Sequence, residues 1–203
     1  MINFRFLLRK IYGLHRKILI LFRYIFFNKI TCNRFDIFHE SNIKIIQKIR
    51  VDGLGHISIN SNSQLGVYPS PNFYNGEFYL EARNITSRIN IGANVFINNN
   101  ARIIADKSSI DIGDYTLIGP NFFCTDSNFH SLSPKDRLSS SYKCSPINIG
   151  NNVFIGDSVS VLKGVSIGDN SVIGAGCIID FDVPANTIVS RDNTSYKLTL
   201  IRD

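Results

Sequence analysis

A period of six residues constrains the fold of this chain more than any other feature of its sequence. Every sixth position from 149 holds Ile or Val, without a break over six positions: Ile149, Ile155, Val161, Ile167, Ile173 and Ile179. A glycine follows four of these six residues, and the fourth residue after each is always small or β-branched. The same phase occurs earlier, at Ile91, Ile97, Ile103, Ile112 and Ile118.

The hexapeptide period predicts an all-β fold, a parallel β-helix in which three hexapeptides form one coil of three short strands. Each coil buries its apolar column only by stacking on its neighbours. An α-helix is excluded because six is not a helical period and because Gly, Asn, Asp and β-branched residues dominate the repeats. Turns such as Gly150-Asn151-Asn152 suit the positive φ angles of tight corners.

Composition excludes several classes of protein. With 203 residues, 44% apolar and 19% charged, the chain is neither disordered nor a disulfide-rich miniprotein. Its four cysteines lack metal-ligand spacing and are expected to be reduced and mostly buried. The net charge of +6 comes from residues 1–30, which hold seven of the 22 Lys and Arg residues and no acid. A nucleic-acid partner is not expected, because the remaining chain carries no excess of basic residues.

Residues 1–30 predict a basic amphipathic helix. At 100° per residue, four arginines fall within about 40° of one another, with two lysines beside them: Arg5, Arg9, Arg16, Arg23, Lys10 and Lys17. This pattern is typical of a helix on an anionic membrane surface, and also of a helix that packs on its own protein or on a partner subunit. The apolar runs are too short for a membrane span or a secretory signal, so a cytoplasmic location is expected, with peripheral contact at the plasma membrane.

A polar segment, residues 124–146, interrupts the period and carries His130, the only histidine of the repeat region. Long excursions from a regular solenoid are more often functional than accidental. An imidazole titrates near neutral pH, so a histidine on such an excursion can take a proton from a substrate group and return it. Asp126 is expected to orient this ring or to accept a hydroxyl of the substrate, and it is equally compatible with a turn-forming role.

Residues 85–190 resemble the hexapeptide-repeat acyltransferases of the left-handed β-helix fold. The stretch from Ile147 to Pro184 carries the resemblance, and the most similar group includes galactoside and maltose acetyltransferases and O-acetyltransferases of bacterial surface polysaccharides. The resemblance implies a left-handed winding, a homotrimer with active sites at the subunit interfaces, and His130 as the catalytic base. Residues 31–84 have no clean phase and are expected to form irregular first coils, and residues 191–203 are expected to form a C-terminal tail.

The same resemblance implies binding residues. Asn98 and Asp106 match positions that contact the sugar acceptor, and an internal ladder or corner is the alternative for them. Lys163 matches the groove that holds the pantetheine arm of acetyl-CoA, and close backbone approach is expected at Ala175 and Gly176. Two further cations are expected to meet phosphates, with solvated surface charge as the alternative: Arg191 and Lys197. No metal site is expected.

The expected function is acetyl-CoA-dependent O-acetylation of a sugar hydroxyl of a bacterial surface polysaccharide, such as O-antigen or capsule, or its precursor. N-acetylation of a nucleotide-linked amino sugar is an alternative, although the chain has no G-x-G-x-x-G segment for a nucleotide-binding unit. A carbonic anhydrase on this fold needs three histidines around zinc, and His15, His39 and His56 all precede the regular coils. A non-enzymatic scaffold is the third alternative.

Overall fold

A computed structural model of the chain describes residues 11, 14, 15, 18, 32–36, 42–139, 141–191 and 195–201. The helix predicted for residues 1–30 falls mostly outside this set, although the four isolated residues described there have helical backbone. Within the described ranges, none of the helices has the length and apolar character needed to cross a bilayer.

Three sheets, parallel except for the last strand of sheet B, form the sides of the molecule, and the chain visits them in turn. Sheet A contains β1 (Cys32–Asp36), the second half of β3 (Ile49–Ile59), β6 (Arg88–Ile91), β9 (Ser109–Ile112), β12 (Ile147–Ile149) and β15 (Ser166–Ile167). Sheet B contains β2 (Lys44–Ile45), β4 (Gln64–Leu65), β7 (Phe96–Ile97), β10 (Leu117–Ile118), β13 (Phe154–Ile155), β16 (Val172–Ile173), β18 (Thr187–Arg191) and β19 (Tyr196–Leu200). Sheet C contains the first half of β3, β5 (Phe78–Ala82), β8 (Arg102–Ala105), β11 (Phe123–Thr125), β14 (Ser160–Leu162) and β17 (Ile178–Ile179).

The predicted column forms the core. Its members pair in register with the equivalent residues of neighbouring coils: Ile118 with Ile155, Ile149 with Ile167, and Val161 with Ile179. All six residues of the column from 149 to 179 are buried, as are the small or β-branched residues four positions after them. Because a strand alternates its side chains between two faces, the residue next to each column residue points outward. The parallel β-helix is therefore confirmed, and its left-handed sense stays a prediction.

Left-handed backbone marks the corners between sheets. Six corners from sheet A to sheet B place a residue there with φ between 53° and 60°: Asn62, Asn94, Tyr115, Asn152, Asn170 and Asn186. Asparagine tolerates this region better than most residues. The amide of Asn152 donates to Asn170 at 2.9 Å, and that of Asn170 donates to Asn186 at 3.0 Å. The corners thus form a side-chain ladder along the axis.

The two ends of the solenoid are more regular than the sequence suggests. The described residues of 31–84, the range expected as irregular first coils, pair in the same three sheets, and β3 runs through a corner near Gly53 from sheet C to sheet A. The expected C-terminal tail contains β19, which pairs antiparallel with β18. Tyr196 contacts the Phe181 ring, and its hydroxyl accepts the Ile178 amide. This hairpin extends the edge of sheet B instead of adding another coil.

Candidate active site

The predicted loop leaves the solenoid at the corner between sheets C and A, directly after β11. Its two ends pair with each other, since Ser127 and Cys144 form an antiparallel bridge and the Asn128 amide donates to the Lys143 carbonyl at 3.2 Å. A short 3-10 helix (Pro134–Asp136) lies in its outer part. The loop is thus anchored by a paired base, and it carries His130 outward from the corner.

His130 is exposed, and its ring has a defined partner. Nδ1 lies 2.9 Å from the backbone carbonyl oxygen of Arg137, across the loop. A carbonyl oxygen only accepts, so in the neutral ring Nδ1 carries the proton and Nε2 keeps its lone pair. The amide of His130 donates to the Asn128 carbonyl at 2.7 Å. This arrangement presents Nε2 as a base.

Asp126 is fully buried at the start of the loop. Its carboxylate accepts three backbone amides of the neighbouring coil, from Asp106 at 2.7 Å, Lys107 at 3.2 Å and Ser108 at 2.7 Å. Burial raises the pKa of this carboxyl above its ordinary value, and the three amide bonds oppose that rise. These contacts give Asp126 a corner-forming role, and its action on His130 stays a prediction.

Asp106 is also fully buried, one coil below the loop. One carboxylate oxygen accepts the Ser127 hydroxyl at 2.9 Å, and the other lies 3.6 Å from the guanidinium of Arg83. The Cys144 thiol lies 3.4 Å from the Ser127 hydroxyl oxygen, and burial raises the pKa of that thiol. Asp106 therefore binds the base of the loop from below, and its contact with an acceptor stays a prediction.

Asn98 lies at the corner between sheets B and C, away from the corner that carries His130. Its side-chain oxygen accepts the Ser70 hydroxyl at 2.8 Å and the Asn99 amide at 2.7 Å. The segment that contains Ser70 bears three aromatic rings, those of Tyr68, Phe73 and Tyr74, in mutual contact. Asn98 thus helps to hold this aromatic segment, and its role in acceptor binding stays a prediction.

The residues predicted to bind acetyl-CoA fall at two corners. Lys163 lies at the corner of the loop, one coil further along, where the Gly164 amide donates to the Ser145 carbonyl at 3.3 Å. The other four share the end of sheet B in the last coils, and all are exposed: Ala175, Gly176, Arg191 and Lys197. At Gly176, φ is +71° and a Cβ would meet nothing within 4 Å, so the space beside this corner is open, and its contact with acetyl-CoA stays a prediction.

Sequence reasoning missed several residues of the site. A cavity of about 300 Å³ beside the imidazole is lined by Asn128, His130, Ser131, Leu132, Ser133, Ser141, Tyr142 and Lys143. The ammonium of Lys107 lies 3.7 Å from the centre of the Tyr142 ring. The residues that line the cavity belong to the loop, which has no six-residue period, so the sequence does not predict which of their side chains face the imidazole. A larger groove of about 610 Å³ follows sheet A, and it contains none of the predicted site residues.

Metal ligands do not assemble in the part of the chain that the structure describes, where no three His, Cys, Asp or Glu side chains group suitably. Of the histidines that a zinc site would need, His56 lies in the part of β3 that belongs to sheet A, just after the corner near Gly53. His39 lies outside the described residues.

Comparisons with known proteins agree with this architecture. Residues 146–180 match the family described as bacterial transferase hexapeptide (six repeats). Galactoside O-acetyltransferase of Escherichia coli K12 is 42% identical over 104 residues, which are 51% of this chain and 50% of that protein. WbbJ of the same strain, named for lipopolysaccharide biosynthesis O-acetyl transfer, is 32% identical over 109 residues, 47% of this chain and 56% of that protein.

A solved structure is similar as well. A hexapeptide-repeat acetyltransferase from Vibrio cholerae, crystallised with acetyl-CoA, is 36% identical with a TM-score of 0.51, over 58% of this chain and 62% of that chain. The chain spans about half the length of the curated relatives it matches. By these matches, residues 146–180 carry the hexapeptide repeats of bacterial transferases, and about half of the chain is similar to galactoside O-acetyltransferases.

Proposed function

We propose that this protein transfers the acetyl group of acetyl-CoA to a hydroxyl of a sugar, with His130 as the general base. One observation carries the proposal: the exposed ring of His130 beside a cavity, with Nδ1 bonded to the Arg137 carbonyl and Nε2 left to accept a proton. The relation to galactoside O-acetyltransferase and the acetyl-CoA bound in the Vibrio cholerae structure support the same chemistry.

The transfer needs no covalent enzyme intermediate. His130 Nε2 takes the proton of the acceptor hydroxyl while the hydroxyl oxygen bonds to the acyl carbon. The carbon–sulfur bond then breaks, and the imidazolium returns the proton to the departing sulfur. The products are the O-acetyl sugar and the free thiol of coenzyme A. The carbonyl of Arg137 stabilises the imidazolium between the two proton transfers, because Nδ1 keeps its hydrogen bond throughout.

Two groups of residues are proposed to hold the acyl donor. Lys163 lies on the loop's own corner, whereas the cations Arg191 and Lys197 lie on the corner between sheets B and C. We propose that the second group binds the phosphates of acetyl-CoA, with Ala175 and Gly176 giving the arm room to approach the backbone. The separation of the two corners within one chain favours a site completed by a neighbouring subunit.

A homotrimer is therefore part of the proposal. Its support is an apolar row on the outer face of sheet B, which pairs in register through successive coils: Phe96, Leu117, Phe154, Val172 and Ile188. Phe96, Leu117 and Phe154 are each more than 40% exposed in the single chain. A contiguous apolar row of this kind marks a protein–protein contact. The equivalent positions of sheet A are polar, as Asn90, Asp111 and Asn148 show.

The acceptor is proposed to be a bacterial surface polysaccharide or its lipid-linked precursor. The name of WbbJ, which refers to lipopolysaccharide biosynthesis, supports this class. The basic residues 1–30 would place the enzyme at the cytoplasmic face of the membrane where such precursors are assembled. Asn98 is proposed to contact the acceptor from the aromatic segment. Asp126 and Asp106 are proposed to act through the loop that they hold.

Replacing His130 tests the proposal. His130→Ala is expected to abolish release of free thiol from acetyl-CoA in the presence of polysaccharide fractions, while the oligomeric state is kept. Location of the new ester by mass spectrometry separates O-acetylation from N-acetylation. Full activity of His130→Ala would overturn the mechanism, and failure of the unmodified protein to bind acetyl-CoA in calorimetry would favour the non-enzymatic scaffold.

A further inference from the structure

Phe129, the residue before His130, has left-handed backbone with φ at +57°. A bulky aromatic residue seldom adopts this region, so its surroundings must hold it there. The direction of the chain at Phe129 decides where His130 points, because the two residues share a peptide bond. What holds Phe129 therefore also holds the imidazole.

Two contacts hold Phe129. Its backbone amide donates to the Ser127 hydroxyl oxygen at 2.9 Å. Its ring lies under the guanidinium of Arg83, with the central carbon 4.9 Å from the ring centroid. A cation over an aromatic face is attracted by the ring quadrupole, and arginine is the cation most often found there.

Ser127 and Arg83, which both contact Phe129, also both contact Asp106. Ser127 donates its hydroxyl to one carboxylate oxygen of Asp106 at 2.9 Å, and Arg83 lies 3.6 Å from the other. Arg83, Asp106, Ser127 and Phe129 thus form a closed circuit of contacts. The Ser127 hydroxyl has one proton, and it donates that proton to the Asp106 carboxylate. The carboxylate therefore fixes the orientation of the hydroxyl, whose oxygen accepts the Phe129 amide.

Arg83 is itself fixed from below. Glu81 accepts from two of its nitrogens, at 2.8 and 3.2 Å, and the Tyr79 hydroxyl donates to Glu81 at 3.0 Å. The hydrogen bond to Glu81 raises the pKa of Arg83, so the guanidinium stays charged. Glu81 lies on the outer face of β5, and Arg83 follows the last residue of that strand, two positions after Glu81 and on the same side of the chain.

We infer that Arg83 is a positioning residue for His130, acting through Asp106, Ser127 and the left-handed backbone of Phe129. This inference rests on the proposed function and names residues that the repeat pattern does not reveal. Arg83 does not touch the imidazole. Arg83 fixes the peptide bond that precedes His130. Loss of this contact would displace the imidazole slightly, and a small displacement of a catalytic group lowers kcat without preventing substrate binding.

Arg83→Gln tests the inference in the full chain, with Arg102→Gln as the matched control. Arg102 also lies over a phenylalanine ring on sheet C, with its central carbon 5.1 Å from the centroid of Phe123. We expect Arg83→Gln to lower kcat about 10- to 100-fold with KM for acetyl-CoA within about twofold. Arg102→Gln is expected to leave both constants unchanged. Arg83→Lys keeps the charge but loses the planar guanidinium, and its kcat is expected to lie between those of the unmodified protein and Arg83→Gln.

Nitrogen NMR of the imidazole gives a readout that a merely structural role would not move. In the unmodified protein the ring of His130 is expected to hold its proton on Nδ1, and in folded Arg83→Gln this preference is expected to weaken. A folded variant with unchanged kcat and unchanged tautomer would overturn the inference. If Arg83→Gln does not fold, Ser127→Ala replaces it, because this variant breaks the circuit and leaves the pair of Arg83 with Asp106 intact. The kcat of Ser127→Ala and the tautomer of its His130 ring then test the inference in the same way.

The proposed function can fail separately. If the unmodified protein transfers no acetyl group, the function is wrong, and the NMR comparison still decides whether Arg83 orients the ring. If transfer occurs and depends on His130 but not on Arg83 or Ser127, the function stands and the positioning role falls.

Discussion

The imidazole of His130 and the carbonyl of Arg137 lie 2.9 Å apart across a loop that leaves an otherwise regular solenoid. This one hydrogen bond fixes the tautomer of the ring, because the carbonyl oxygen has no proton to give. The bond forms within a loop whose two ends are paired through Ser127 and Cys144. The loop is therefore held in shape by its own contacts, and the ring of His130 is oriented without a ligand.

Replacing His130 by asparagine is expected to separate binding from catalysis. The asparagine amide can still donate to the Arg137 carbonyl, so the loop keeps its shape, while the atom that takes the proton is missing. The value of kcat should fall about 10²- to 10⁴-fold, and the Kd for acetyl-CoA should stay within about twofold. Calorimetry and thiol-release kinetics measure the two quantities, and a parallel loss of binding would argue against a purely catalytic role.

Removing the charges at the end of sheet B is expected to weaken binding of the acyl donor selectively. In the double variant Arg191→Gln, Lys197→Gln, KM for acetyl-CoA should rise about tenfold, equivalent to about 1.4 kcal/mol. KM for acetyl-pantetheine, which lacks the nucleotide phosphates, should not change. Arg88→Gln, at the exposed start of β6, is the control. Equal effects on both donors would show that these side chains do not bind phosphate.

The apolar row on sheet B predicts the effect of a buried charge on assembly. Leu117→Lys or Phe154→Lys would place an ammonium in the proposed subunit contact, and desolvation of that charge is expected to break the proposed trimer into monomers. Asn148→Lys, on the outer face of sheet A, is the control. Light scattering after size-exclusion chromatography gives the mass. A trimer that survives both sheet B variants would place the interface on another face.

Two glycines are expected to differ in their tolerance of alanine. A Cβ at Gly113 would lie 2.6 Å from the backbone of Gly150 in the next coil, so the coils would have to separate, at a cost of about 3 kcal/mol. At Gly176, where nothing lies within 4 Å, only the left-handed backbone opposes alanine, at about 1 kcal/mol. Thermal unfolding of both variants checks the order, and a larger loss at Gly176 would contradict the observed stacking.

Cys144 is expected to react slowly with iodoacetamide near neutral pH. Burial raises the pKa of its thiol, and the hydrogen bond to Ser127 only partly offsets this. The thiolate fraction near neutral pH is then smaller than that of an ordinary cysteine, so the rate should keep rising at pH values where an ordinary cysteine is already ionised. Peptide mass spectrometry over a pH series, with protein unfolded in urea as the reference, measures it. Rapid labelling at neutral pH would mean that the thiol is activated.

Much of the candidate site followed from the sequence because the repeat sets a phase. Once Ile118 and Ile155 are known to face inward, the polar excursion between them must leave at a corner, and His130 must lie on it. The phase also predicts which residues line each corner, as Asn152 and Asn170 show. The phase ends with the regular coils, however, and for this reason it does not predict the hairpin of β18 and β19.

The sequence by itself determined the solenoid, its buried column and the place where the column is interrupted, since a six-residue period has only one way to bury Ile and Val. The tertiary structure decided which distant residues meet. Arg83 reaches Phe129, and Asp106 reaches Ser127, across coils separated by insertions of unequal length. Stacking of the coils brings such residues together, and no local pattern records the insertion lengths that select the partners.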